Sequence, residues 1–161
     1  MNTMIPNPSK KVVVNFNIEH VKTALNKMKD FCSDGSNTIV IATGSYNDTL
    51  NAYNFMSRGQ ITGIIDMGMN GTATVVKVDE NNTEITVEIG KAVGCISDQF
   101  EAQDCTNQIN QFFIALSKLL DMTDEQINSI EVCNEPKSSI SASAIGIVIA
   151  ALIILGIVFV L

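Results

Sequence analysis

The chain lacks most of the residues from which catalytic and metal sites are usually built. Its 161 residues include one histidine, three prolines and no tryptophan. A single histidine cannot form a two-histidine metal site, and no nucleophile is placed to pair with it. The four cysteines form no C-x-x-C pair, so a zinc ribbon and a thioredoxin-like motif are excluded. The sequence therefore predicts no catalytic residue, no metal site and no cofactor.

Positive charge is also scarce. Ten Lys and Arg stand against seventeen Asp and Glu, which gives a formal net charge of −7 and a pI of about 4.5. Lys10-Lys11 is the only place where two basic residues adjoin. Binding a phosphate backbone takes several cations on one face of a protein. We therefore predict that nucleic acid is not a partner.

The last 22 residues, 140–161, contain no charged side chain at all. As a helix with a rise of about 1.5 Å per residue, they would extend about 33 Å, which is enough to cross the hydrocarbon core of a bilayer. A buried core helix is the alternative, but no polar face interrupts this apolar run. We predict a single transmembrane helix over 140–161, with the lipid bilayer as its partner.

The flanks of this segment predict its orientation. Lys137 precedes it, no residue follows it, and the N-terminus has no apolar region typical of a signal peptide. We expect a tail-anchored, single-pass protein with its N-terminal domain in the cytoplasm. Ala142, Gly146 and Ala150 recur every four residues and form a small-residue face on the helix. Such a face allows helices to associate into a homo-oligomer, the alternative being that it contacts only lipid.

The residues before this segment predict an α+β domain that begins with a strand and an amphipathic helix. Residues 1–11 have no apolar periodicity and read as a flexible arm, and a strand starts at Val12. Asn17 is placed to cap a helix whose apolar face carries Ile18, Val21, Leu25 and Met28. His20 lies one step off this face and is predicted to be a solvated helix residue.

Short β-prone segments then alternate with turns. We predict strands over 38–43, 50–56, 61–67, 72–78 and 83–89, separated by Gly, Asn, Asp and Ser residues. Each break is too short for a crossover helix, so neighbouring strands should pair as an antiparallel meander. The last strand alternates strictly, which places Ile85, Val87 and Ile89 on the buried face and leaves the other face in water.

A long helix follows, with Ser97 as its predicted cap. Its apolar stripe comprises Ala102, Cys105, Ile109, Phe112, Phe113, Leu116, Leu119 and Leu120. Thr123 and Gln126 have the spacing of a capping box for a further short helix. The predicted organisation is a flexible arm at 1–11, the α+β domain at 12–121, a partly helical tether at 122–139 and the membrane helix at 140–161.

This order of elements, β-α-β5-α, resembles the helix-grip arrangement of START-like and Bet v 1-like domains. The resemblance spans about Val12 to Leu120 and implies a curved antiparallel sheet that wraps a long C-terminal helix, with a cavity for an apolar ligand between them. The strands are fewer and shorter than in larger members, which favours a filled core over a roomy cavity. The candidate residues for the ligand face or core are Met56, Met67, Ile109, Phe112, Phe113 and Leu116.

Two functional hypotheses follow. The first is a binding module, held at a membrane, whose cytoplasmic domain takes an apolar ligand or a protein partner. The alternative is an oligomeric membrane-associated assembly protein without a small-molecule ligand. An enzyme is the least supported class, because neither a nucleophile-base pair nor a pair of catalytic carboxylates emerges. Asn47, Asn70 and Asn81 each begin an Asn-x-Thr sequon, which matters only if the domain lies outside the cell.

Overall fold

Five antiparallel strands and three helices make up the part of the chain that a computed structural model describes, residues 4–33, 37, 39–58 and 68–130. The elements are β1 (Ser9–Val14), α1 (Ile18–Phe31), β2 (Val40–Asn47), β3 (Ala52–Arg58), β4 (Met69–Lys77), β5 (Thr83–Lys91), α2 (Gln99–Leu120) and α3 (Asp124–Asn128). The strands form one sheet in the order β1-β5-β4-β3-β2. The predicted α+β class, with an antiparallel sheet and a long second helix, is confirmed.

Two predicted segments lie outside the described residues, namely the strand at 61–67 and the membrane helix at 140–161. Among the helices of the described ranges, none combines the length and the apolar character needed to cross a membrane.

Helix α1 forms as its sequence pattern predicts. The Asn17 side chain accepts a hydrogen bond from the backbone N–H of His20 at 2.9 Å, which satisfies one of the free donors at the start of the helix. The apolar residues at three- and four-residue spacing turn towards the sheet, and Val21, Leu25 and Met28 are fully buried. The helix is therefore fixed along β2, its main contact in the sheet.

The turn between β2 and β3 lies later than predicted. The sequence indicated a break at Gly44–Asp48, but β2 continues to Asn47 and the chain turns at residues 48–51. Asn47 drives this turn, because its side chain accepts the backbone N–H groups of Thr49 and Leu50 at 3.0 and 3.1 Å. Gly44 serves packing instead, since a side chain there would overlap the hydroxyl of Tyr53 on the paired strand.

The sheet has one apolar face and one face in water, as the alternation in β5 predicts. Ile85, Val87 and Ile89 are fully buried, while the intervening residues point outward. We call the apolar face the inner face and the other the outer face. A second glycine shapes the inner face, because Gly71 lies opposite Phe55 and a side chain there would overlap the Phe55 ring.

Helix α2 packs on the inner face and begins one residue later than predicted. Asp98, not Ser97, is its cap, and the Asp98 side chain accepts the Glu101 backbone N–H at 2.9 Å. Ser97 instead donates its backbone N–H and its hydroxyl to the Glu101 carboxylate. The same carboxylate forms an ion pair with Lys91 at the end of β5, whose Nζ lies 2.6 Å from Oε1 of Glu101. The start of α2 is thus tied to the end of β5.

Helix α3 has the predicted capping box, in which Thr123 and Gln126 each bond the other's backbone N–H. It lies against α1, where Ile127 is fully buried. Lys27 of α1 donates to the carbonyl oxygen of Ile130 at 3.2 Å. The chain beyond α2 therefore returns to α1 before the described residues end.

We predict that Gly71→Ala destabilises the domain by about 2 kcal/mol, because the new methyl group must displace the buried Phe55 ring. Urea unfolding followed by circular dichroism would measure the change. Thr74→Ala, three residues along the same strand but exposed on the outer face, is the matched control and should cost less than about 0.5 kcal/mol. Equal losses of unfolding free energy in the two variants would contradict the close packing of the Phe55 ring on Gly71.

The ion pair at the start of α2 predicts a pH-dependent stability. The Lys91 side chain, and then Ser97, hold the pKa of Glu101 at about 2. An unfolded glutamate titrates near pH 4.3, so the stabilisation is present above that pH and is lost as the pH falls from about 4.5 towards 2. Glu101→Gln should therefore lower the urea midpoint near neutral pH, and its difference from wild type should shrink through this window.

The control for this measurement is Glu80→Gln, at an exposed position in the turn between β4 and β5. A gap between wild type and Glu101→Gln that stays constant down to about pH 3 would show that the charge of Glu101 contributes nothing.

Candidate functional site

The middle of the space between the sheet and α2 is filled by aromatic side chains. The rings of Phe55 and Phe112 stack with centroids 4.7 Å apart, and the Tyr53 ring lies 5.8 Å from Phe55. Phe113 packs edge-on against Phe112. The close approach of Phe55 is possible because Gly71 has no side chain. Where these rings lie, the space between the sheet and α2 is a packed core.

Beyond this aromatic cluster, buried polar atoms lack hydrogen-bond partners. Among the described residues, neither the Ser57 hydroxyl nor the side-chain oxygen of Gln108 has a hydrogen-bond partner, and these two residues are 0% and 8% exposed. The side-chain oxygen of Gln111 is also buried and unpartnered. Leaving such a group unpaired costs about 1–3 kcal/mol, so each one calls for a physical explanation.

Ser57 and Gln108 lie towards the same end of the sheet. Ser57 pairs with Met69, and Met69 pairs with Lys91 at the end of β5. Lys91 in turn binds Glu101 in the first turn of α2. Ser57 lies two residues past Phe55 on the inner face of β3, and Gln108 lies one turn before Phe112 on α2. Both are therefore displaced from the aromatic cluster in the same direction.

We call Ser57, Gln108 and Gln111 the interior polar site. The carboxamide oxygens of Gln108 and Gln111 are acceptors only, while the Ser57 hydroxyl can donate or accept. A group that satisfies this site must therefore bring at least one hydrogen-bond donor. The adjoining Phe55 and Phe112 rings offer it an apolar neighbour.

Two tyrosines on the inner face keep their protons at physiological pH. Burial raises the pKa of Tyr46 to about 12, and the charges of Asp48 and Glu19 add to the effect. Burial also raises the pKa of Tyr53, its partner across the strands. Both phenols are neutral hydrogen-bonding groups and cannot act as bases near neutral pH. In the described ranges, no cluster of three His, Cys, Asp or Glu side chains could hold a metal ion.

The structure separates the predicted ligand-face residues. Ile109, Phe112 and Leu116 are buried together on α2. Phe113 is half-buried, and Lys10 lies over its ring with the amine nitrogen 5.7 Å from the centroid. Met56 points to the outer face and is 37% exposed, so it does not join them. Met67, Ala142, Gly146 and Ala150 lie outside the described residues.

Met56 lies instead at an open cleft of about 540 Å³ on the outer face. Besides Met56, the side chains that line it are uncharged and polar, namely Thr43, Ser45, Asn54, Asn70 and Thr72. Thr72 donates its hydroxyl to the Asn54 side-chain oxygen at 3.0 Å. This cleft is separated from the aromatic cluster by the sheet itself.

A second open cleft, of about 570 Å³, lies around His20. It is bounded by the chain before α1, the turn between β4 and β5, and the connection from α2 to α3. His20 is not the solvated residue that the sequence predicted, because its side chain is 14% exposed and stacks on Phe16. Its partners Asp124 and Leu120 lie about a hundred positions away in the chain, which is why no local pattern indicated them.

No protein-family model matches the chain, and no curated protein matches it. Solved structures do resemble it. A conserved protein from Geobacillus kaustophilus superposes with a TM-score of 0.52 at 12% identity, over 71% of this chain and 95% of that one. A START superfamily protein from Mycobacterium smegmatis superposes with a TM-score of 0.44 at 9% identity, over 75% and 98% of the two chains.

The di-domain ARO/CYC BexL from the BE-7585A biosynthetic pathway is also similar, with a TM-score of 0.48 at 9% identity over 78% of this chain. The match covers 48% of BexL, so the chain spans about half the length of that protein. At these identities the likenesses concern the fold alone. The predicted helix-grip fold of START-like and Bet v 1-like domains is confirmed.

Proposed function

We propose that this protein is a membrane-held binding domain whose interior polar site recognises a largely apolar small molecule with a hydroxyl or amine group. The observation that carries the proposal is the pair of buried, unpartnered polar atoms on Ser57 and Gln108. Water or a ligand can satisfy such atoms. A ligand is favoured because the site adjoins the Phe55 and Phe112 rings, which would pack against the apolar part of the molecule.

The residues available at the interior polar site support binding over catalysis. Ser57 lacks a nearby histidine, since the only histidine, His20, bonds Asp124 and Leu120 elsewhere. The phenol of Tyr53, on the far side of Phe55, remains protonated because burial raises its pKa. Hydrogen bonding and apolar contact are the interactions that these side chains can supply.

We further propose that residues 140–161 anchor this domain in a membrane. Their support is the uncharged run of 22 residues, which has the length and composition of a bilayer-spanning helix. Lys137 just before the run favours a cytoplasmic position for the domain. The acidic domain would itself gain little from an anionic bilayer surface, so the anchor carries the attachment.

Replacing Gln108 by leucine tests the interior polar site. We expect Gln108→Leu to raise the stability of the ligand-free domain by about 1 kcal/mol, because it removes a buried side-chain oxygen that has no hydrogen-bond partner among the described residues. The same substitution should abolish retention of a co-purified small molecule, measured by native mass spectrometry after gentle extraction. Gln103→Leu, on the exposed side of the same helix, is the matched control and should retain the molecule.

Wild-type protein that carries no small molecule, while Gln108→Leu remains folded, would contradict the ligand proposal. A molecule retained equally by wild type and Gln108→Leu would place its site elsewhere.

Deletion of residues 140–161 tests the anchor. The deletion removes about twenty apolar side chains, so we expect the shortened protein to be soluble and folded and the full chain to resist carbonate extraction. Asn47, Asn70 and Asn81 are all exposed, so a domain in the secretory lumen would offer three accessible glycosylation sequons. Glycans at these sites would contradict a cytoplasmic domain, and a shortened chain that remained in the membrane pellet would contradict the anchor.

A further inference from the structure

The His20 ring lies between the start of α1 and the connection from α2 to α3. Its centroid is 5.1 Å from that of the Phe16 ring, on which it stacks. Its Nδ1 lies 2.7 Å from Oδ1 of Asp124, and its Nε2 lies 3.0 Å from the carbonyl oxygen of Leu120. One side chain on α1 therefore contacts both ends of the α2–α3 connection.

The two partners determine the protonation that this geometry favours. A backbone carbonyl can only accept a hydrogen bond, and an ionised carboxylate can only accept one. Both contacts are hydrogen bonds at the same time only when Nδ1 and Nε2 each carry a proton, which makes the ring an imidazolium. A neutral ring has one lone pair, so it would direct that lone pair at an oxygen of either Asp124 or Leu120.

The described lining of the cleft contains no positively charged side chain that would repel a protonated His20 ring. In the described lining of the cleft, Asp121 and Asp124 carry the charges, and both are acidic. The other lining side chains, from the chain before α1, the turn between β4 and β5 and the α2–α3 connection, are uncharged: Asn15, Phe16, Asn17, Asn81, Leu120, Met122 and Thr123. On α1 itself, the charges of Glu19 and Lys22 pair with each other.

Apart from the His20 contacts, α3 and its flanks are held by the apolar packing of Met122, Ile127 and Ile130 and by a hydrogen bond from α1. Ile127 is the buried residue of α3, and Lys27 reaches the carbonyl oxygen of Ile130 just past its end. Its capping box bonds α3 to itself and not to α1. A change at the His20 contacts therefore affects the docking of the whole helix.

We propose that His20 is a pH-dependent latch that holds α3 against α1 when the ring is doubly protonated and weakens its docking when the ring is neutral. Histidine is the side chain that changes charge between about pH 5 and 8. Docking is expected to be strongest at the acidic end of that range, where both contacts are hydrogen bonds.

The latch gains a consequence from the proposed anchor. Helix α3 is the last described element before residues 140–161. Release of α3 would add residues 121–130 to the stretch of chain that joins the end of α2 to the proposed anchor. This consequence rests on the proposed function, but the latch itself does not.

Hydrogen exchange on the full chain in detergent micelles tests the latch. After correction for the intrinsic effect of pH, the opening of residues 121–130 should be at least about tenfold more frequent at about pH 8 than at about pH 6, since a lost charged hydrogen bond costs about 1.5 kcal/mol or more. Exchange in the middle of α2 serves as the internal reference. Because His20 is the only histidine, the ¹⁵N spectrum of its ring directly reports whether both nitrogens are protonated at pH 6.

Two variants separate the latch from a general effect of pH. His20→Gln should abolish the pH response of α3, and Asp124→Asn, which keeps an acceptor but removes the charge, should reduce it. Asp121→Asn, in the same cleft without a hydrogen bond to the ring, is the matched control and should retain most of it. Equal opening at both pH values, or a full response in Asp124→Asn, would overturn the proposal. The expected pH response of α3 does not depend on whether residues 140–161 anchor the protein in a membrane.

Discussion

The packing of Phe55 against Phe112 is the contact on which the rest of this structure depends. It joins β3, the neighbour of the edge strand β2, to the middle of α2, with ring centroids 4.7 Å apart. It requires glycine at position 71, because any side chain there would occupy the place of the Phe55 ring. With this contact made, α2 lies across the inner face, and its apolar stripe is removed from water over most of its length.

That contact also determines where binding is physically feasible. The aromatic cluster fills the middle of the interior, so the proposed ligand site lies beyond it. Towards the first turns of α2, Ser57 and Gln108 are buried without hydrogen-bond partners among the described residues. Burying these polar atoms costs free energy while the site is empty. A molecule that brings a hydrogen-bond donor would pair with them and offset that cost. The interior polar site therefore lies at the boundary of the packed core.

The sequence predicted those elements in which the spacing of apolar residues indicates the buried face. The stripe of α1, the stripe of α2 and the alternation of β5 each follow from a local period, and each is confirmed. Position 44 was read as a turn because glycine is common in turns, whereas the structure places it in a strand beside the Tyr53 hydroxyl. The role of this glycine depends on a residue of the next strand, which periodicity cannot show.

The candidate site was harder to predict for the same reason. Ser57 was assigned to a turn, and Gln111 to the polar side of α2, because small or polar residues are usually exposed. His20 was interpreted as solvated, although its partners at the end of α2 and the start of α3 enclose it. In each case the surroundings of the residue depend on tertiary contacts between distant segments, which the residue type alone does not reveal.

A crystal structure of the protein as purified from its membrane fraction is the most direct test of a ligand-binding interior. Our account predicts continuous electron density for an organic molecule within hydrogen-bond distance of the Ser57 hydroxyl and the Gln108 side-chain oxygen, with its apolar part against the Phe55 and Phe112 rings. A single ordered water bridging the two side chains, with the aromatic cluster closed over it, would contradict the account.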